Sequence, residues 1–162
     1  EVCGDFEKLI NLQLKEKHPK SWMRAFFNMG LINYIEGSRR MLPCQAGEMN
    51  FFVEPYGDIY PCNGLEKKYW KKSMGNIRET PNFKEIWEGE QAEQVRQMVR
   101  RCPKNCWMVG TASPVMHKYI KYPLKWALKN KLRSLQGKTA CLDKCWYNVG
   151  QDPSQGDLRE VF

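Results

Sequence analysis

Seven cysteines place the strongest constraint on this chain: Cys3, Cys44, Cys62, Cys102, Cys106, Cys141 and Cys145. An odd number with wide gaps makes a poor disulfide framework for a secreted domain. Two close pairs accompanied by distant single cysteines suit metal or cluster ligation instead. The competing reading is a reduced protein with scattered buried thiols, each packing as a small hydrophobe. The length, 162 residues, suits one domain or one and a half, with ample chain for a core. Aromatic residues spread along most of the sequence argue against disorder. No apolar run approaches the roughly 18 residues that span a bilayer. No charged-then-apolar leader follows Glu1, so the expected location is cytoplasmic. A start at Glu1 also suggests part of a longer protein.

The local patterns predict an α+β chain in three stretches. Residues 1–41 read as helical: a helix over 4–17, with Asp5 as its cap and Phe6, Leu9, Ile10 and Leu14 at helical spacing, then a second from Ser21 to about Arg40. Trp22, Phe26, Met29, Ile32 and Ile35 are its candidate core positions, and Gly30 and Gly37 weaken it. Residues 42–110 change texture. Met49 to Glu54 and Ile59-Tyr60 flank Pro55-Tyr56-Gly57-Asp58, which predicts a small antiparallel hairpin because Pro presets φ and Gly tolerates positive φ. Gly75-Asn76-Ile77 reads as another extended piece. Thr80-Pro81 predicts a helix start with Thr80 as cap and Phe83, Ile86 and Trp87 facing inward; Gly89 separates it from a helix over 90–101 that buries Val95, Met98 and Val99.

Residues 111–162 form a basic helical extension. A turn or two of helix is expected over 114–120, then a firmer helix over 123–135 with Leu124, Leu128, Leu132 and Leu135 on one stripe and Lys125, Lys129 and Arg133 on another face. The tail from Gln151 reads as loose. Residues 102–110 (CPKNCWMVG) and 141–150 (CLDKCWYNVG) repeat a Cys-x3-Cys-Trp turn followed by Val-Gly.

The hairpin has a chemical consequence. Cys44 precedes its first strand and Cys62 follows its second. Paired strands lie about 4.8 Å apart, so the two thiols converge across the intervening chain. Cys102 and Cys106 sit on a turn directly after a helix. A hairpin pair and a turn pair supply four thiolates, the number that a 4Fe–4S cluster or a structural zinc requires. No Cys-x2-Cys zinc knuckle is present. Widely separated ligands lean toward the bulkier cluster, which Phe51, Phe52, Tyr60 and Trp107 could shield.

The run Cys44, Gly57, Asp58-Ile59-Tyr60-Pro61-Cys62, Gly75-Asn76-Ile77, Phe83-Lys84-Glu85-Ile86-Trp87, Cys102 and Cys106 resembles the SPASM/Twitch domain. That domain is the auxiliary iron–sulfur module of many radical S-adenosylmethionine enzymes. Twelve residues separate Cys44 from Gly57 and four separate Gly57 from Cys62, within the family's spacing. The resemblance covers about residues 42–110. The full SPASM pattern has further cysteines before the Cys-x3-Cys, where this chain has Glu93 and Arg96. It is therefore more similar to the shortened, one-cluster Twitch form, whose ligands would be Cys44, Cys62, Cys102 and Cys106. Cys141 and Cys145 could belong to a second, divergent site but cannot complete one alone, and Cys3 reads as a lone thiol.

The resemblance further implies a catalytic partial barrel with its own Cys-x3-Cys-x2-Cys cluster. This sequence lacks that motif, because Val109 and Asn148 occupy the third-cysteine positions. The chain alone is not expected to cleave S-adenosylmethionine. The barrel of the same full-length protein would be its partner, with residues 1–41 as the end of that barrel and a bridge. The implied roles are electron transfer or positioning of a substrate, often a peptide or protein. The competing class is a non-catalytic zinc-binding interaction module.

Charge is unevenly distributed. Gln94 to Leu142 holds no acid but eleven Lys and Arg, while the remainder holds 15 bases and 18 acids. A solvated or domain-docking face is the plainest reading. An anionic membrane surface fits next, and nucleic acid fits less well because no base-reading motif accompanies the lysines. His18 and His117 look incidental. Glu85, Glu88, Glu90 and Glu93 read as a solvated face, and no nucleophilic triad or phosphate loop is present.

Overall fold

A computed structural model describes residues 1–63 and 72–142. The described chain is mixed α+β, and it divides into two compact units. One comprises Glu1–Pro43, Lys104–Trp107 and the chain from Met116; the other comprises Cys44–Pro103 and Met108–Val115.

The first unit is helical. α1 (Val2–Lys15) and α2 (Pro19–Ile35) pack together, and α6 (Lys121–Leu135) packs against both. Asp5 does not cap α1; Glu1 occupies that position and Asp5 pairs with Lys8 in the first turn. α2 starts two residues earlier than expected, because Pro19 takes the first turn, where its missing N–H costs nothing. It also ends earlier, at Ile35, and Gly37 follows with a positive φ. Ile10, Leu14, Phe26, Met29 and Ile32 are buried as expected, whereas Leu9 and Ile35 are exposed.

α6 is rotated relative to its leucine stripe. Pro123, Trp126, Ala127 and Asn130 are its buried residues, and Leu124, Leu128, Leu132 and Leu135 face outward. Trp126 makes an edge contact with Phe26, ring centroids 5.6 Å apart. One indole offers more apolar area to the core than one leucine, and Ala127 beside it lets the helices approach. Lys131 fixes the same rotation. Its Nζ donates to the carbonyls of Leu14, Lys15 and Glu16 at 2.8, 3.1 and 2.8 Å and lies 5.3 Å from the Trp22 ring centre. A cation at the carbonyl end of α1 satisfies groups that the helix leaves unpaired.

The second unit is built on a three-stranded antiparallel sheet ordered β1 (Phe52–Val53), β2 (Asp58–Tyr60), β3 (Gly75–Asn76). Phe52 faces Tyr60 and Val53 faces Ile59 in the register, confirming the hairpin; Ile59 also faces Gly75. The turn is closed by Gly57 N–H donating to the Glu54 carbonyl at 2.9 Å, with Pro55 at its second position. Gly57 has φ +93, a conformation that disfavours any side chain.

α3 (Phe83–Glu88) and α4 (Glu90–Arg100) follow, parted at Gly89. The cap of α3 is Asn82 rather than Thr80. The Thr80 amide closes the preceding turn onto the Asn76 carbonyl, while Asn82 accepts from the Lys84 amide and donates to Glu85, a reciprocal capping pair. Ile59, Met74, Ile86, Ala92, Val95, Val99 and Ala46 form the core of this unit. Phe83 and Met98 are exposed instead of buried. α5 (Val109–Lys118) begins earlier than the sequence suggests and carries Pro114 inside it.

Candidate metal centre

The core of the second unit organises Cys44 and Cys62. Cys44 and Cys62 are half-buried and both pack against that core. The loop after Cys44 is pinned to the segment before Cys62. The Gly47 amide donates to the Asn50 carbonyl at 2.8 Å, and Asn50 Nδ2 donates to the carbonyl of Pro61 at 3.2 Å. The hairpin therefore returns the chain beside its starting point. Cys102 lies immediately after α4, its amide donating to Val99 of the same core at 3.0 Å.

α4 is in turn tied to the Cys44 loop. Arg96 Nε donates to the Gly47 carbonyl at 2.7 Å, its Nη2 donates to the carbonyl of Trp87, and its guanidinium lies 4.8 Å from the Trp87 ring centre. Arg100 pairs with Glu48 at 3.2 Å and with Glu93 at 3.1 Å. The hydrogen bond to Glu48, followed by the charge of Glu93, raises the Arg100 pKa. The two positions that hold cysteines in the full SPASM pattern thus carry an ion-paired Glu93 and Arg96 here, 3.6 Å apart.

Cys106 belongs to the Lys104–Trp107 segment of the helical unit. Asn105 secures this segment by donating to the carbonyls of Tyr34 and Ser38 at 3.3 and 3.0 Å. Trp107 Nε1 donates to the Phe27 carbonyl at 2.9 Å. Buried Arg40 spans two backbone sites: Nη1 donates to the carbonyl of Cys106, and Nε donates to that of Leu42 at 2.8 Å. Leu42 stands two residues before Cys44, so one guanidinium holds the approaches to two candidate ligands.

The six described cysteines are thiols, each partly buried. Four soft donors of this kind match the chemistry of an iron–sulfur cluster or zinc. Among the described residues, no three His, Cys, Asp or Glu side chains gather closely enough to hold a metal ion. The structure thus sets Cys44 and Cys62 on one core, while Cys102 follows α4 and Cys106 is fixed by Arg40, Asn105 and Trp107. Cys3 lies on α1. The Cys141 amide donates to buried Asn130 Oδ1 at 2.6 Å, and Cys145 lies outside the described residues. Of the proposed shielding rings, Phe51 packs with Phe83 and Trp87, and Trp107 is buried against α2.

Residues 44–108 match the SPASM iron–sulfur cluster-binding domain. The SPASM region begins at Cys44, contains Cys62, Cys102 and Cys106, and takes in the hairpin, α3 and α4. No curated protein and no solved structure matches the chain. Arg40 and Asn50 had no distinguishing signal in the sequence: each acts through main-chain carbonyls, which leave no residue pattern. Among the described residues, no helix is long and apolar enough to cross a membrane.

Proposed function

We propose that this chain holds one 4Fe–4S cluster through Cys44, Cys62, Cys102 and Cys106, as the auxiliary module of a radical S-adenosylmethionine enzyme. The SPASM match across these four cysteines carries the reading. The packing of Cys44 and Cys62 on one core supports it. Glu93 and Arg96, engaged in ion pairs and backbone contacts, favour the one-cluster Twitch form over the full pattern.

A bound cluster would supply one-electron redox chemistry. Four thiolate ligands leave no open iron, so electron transfer to or from the catalytic cluster is favoured over direct substrate ligation. This chain's own residues restrain the backbone that carries the thiols. Arg40 restrains the Cys106 and Leu42 carbonyls, Asn50 restrains the approach to Cys62, and Arg96 restrains the Cys44 loop. S-adenosylmethionine and a peptide or protein substrate would bind the barrel partner, in the cytoplasm.

The test is iron, sulfide and zinc per chain after anaerobic purification and reconstitution, for the wild type and Cys62→Ala. About four irons with four sulfides, lost in the variant, is expected for one such site. One zinc without sulfide would overturn the reading. Near eight irons would bring Cys141 and Cys145 into a second cluster and replace the one-cluster form.

A further inference from the structure

The outward face of α6 is a stripe of aliphatic side chains. Leu124, Leu128, Leu132 and Leu135 are 43%, 46%, 61% and 72% exposed. Single exposed leucines are ordinary on a soluble surface, but four at i, i+4 and i, i+3 spacing form a continuous ridge. The ridge faces outward because Trp126, Ala127 and Asn130 are buried on the opposite side, and Lys131, at the edge of the leucine stripe, reaches back to the end of α1.

The charge beside this ridge follows the same period. Leu124 precedes Lys125, Leu128 precedes Lys129 and Leu132 precedes Arg133, with Lys121 at the start of the helix. A basic strip therefore runs alongside the leucines, about 100° round the helix. No Asp or Glu occurs on α6 or anywhere between Gln94 and Leu142. Several basic residues of that interval work internally: Arg96, Arg100, Lys131 and Arg133 bind backbone or carboxylate groups of their own units. On the outer side of α6, Lys121 and Lys129 are exposed.

We propose that α6 is an in-plane docking helix for an anionic phospholipid surface. Its 15 residues make a rod of about 22 Å, too short to span a bilayer but suited to lying in the headgroup layer. The leucines enter the acyl boundary, and the lysine stems extend along it to place ammonium groups among the phosphates. A groove on an acidic protein is the competing occupant. Protein interface centres are enriched in aromatics and arginine and depleted in lysine, whereas this ridge is purely aliphatic and its neighbours are chiefly lysines. The charge and composition therefore favour lipid.

Co-sedimentation of the full chain with vesicles tests this directly. Vesicles of phosphatidylcholine alone are compared with vesicles containing about one third phosphatidylserine. The wild type is expected to bind the anionic vesicles at least about tenfold more tightly and to release as salt rises from about 50 to about 500 mM. Leu128→Glu/Leu132→Glu and Lys121→Gln/Lys129→Gln should each lower that binding by about tenfold. These side chains are exposed, and unchanged far-UV circular dichroism verifies the fold. No preference for anionic vesicles, or equal binding by the variants, overturns the proposal. So does concentration-dependent dimerisation without lipid that Leu128→Glu/Leu132→Glu abolishes, because the ridge would then pair with a second copy. Iron content plays no part in the readout, so the cluster and this surface stand or fall separately.

Discussion

The indole of Trp107 occupies the place where a side chain on Gly30 would begin. A β-carbon built there meets Trp107 Cε2 and Nε1 at 2.1 Å, and the indole N–H already donates to the Phe27 carbonyl. The glycine that weakens α2 as an isolated helix is thus the residue that admits the anchor of the Cys106 turn. Gly30→Ala should destabilise the helical unit by about 1–3 kcal/mol through overpacking, against the roughly 1 kcal/mol that alanine gains in helix propensity. Urea unfolding checks the sign, and a stabilised variant would contradict this account.

Arg40 makes a second prediction. Arg40→Met leaves the buried carbonyls of Leu42 and Cys106 without the donors they have now, at a cost of about 1–3 kcal/mol for each carbonyl left unsatisfied. Arg40→Lys restores charge and part of the bonding but not the fork geometry. The expected order of both unfolding midpoint and iron retained after desalting is wild type, then Lys, then Met. Equal iron retention in all three would remove Arg40 from any role in holding the ligand turns.

Asn130 is fully buried, donating to the Trp126 carbonyl at 3.0 Å and accepting from the Cys141 amide. Asn130→Leu keeps the branched shape with bulkier methyls and removes both bonds, so a loss of at least about 1–3 kcal/mol is expected. Faster amide exchange at Cys141 would localise the effect. Unchanged protection there would show that the bond is not what holds the segment.

Trp126 separates shape from polarity. Among the described residues its buried Nε1 has no hydrogen-bond partner, so Trp126→Phe removes an unsatisfied donor and should cost less than about 1.5 kcal/mol. Trp126→Ala empties the contact with Phe26 and should cost about 3–5 kcal/mol. Thermal unfolding of the two variants measures the gap.

The hairpin and the two cysteines flanking it were legible because a Pro-x-Gly turn between aromatic runs leaves few alternatives. The rotation of α6 was not. A leucine stripe and a Trp-Ala-Asn face both satisfy helical periodicity, and only the partners α1 and α2 decide which one enters the core. The cap at Asn82 was missed because Thr80 has the right chemistry, yet the helix begins only at Phe83 and leaves Thr80 in the turn onto Asn76. Arg96 read simply as a missing cysteine; its bond to the Gly47 carbonyl joins residues 49 apart in sequence, a pairing no local pattern encodes. The same holds for the basic block, where Arg96, Arg100 and Lys131 count as free charge until their partners are seen.

Lys131 has a consequence in time. The carbonyls it binds, at Leu14, Lys15 and Glu16, leave the ribosome more than a hundred residues before it does. During synthesis the end of α1 must stay hydrated while the whole stretch from Cys44 to Pro103, which closes its own core, is already available to fold. The contact between α6 and the end of α1 is thus the last to close, and such long-range closure is slow. A nascent chain stalled before residue 131 would present a completed cysteine hairpin beside an unfinished helical unit.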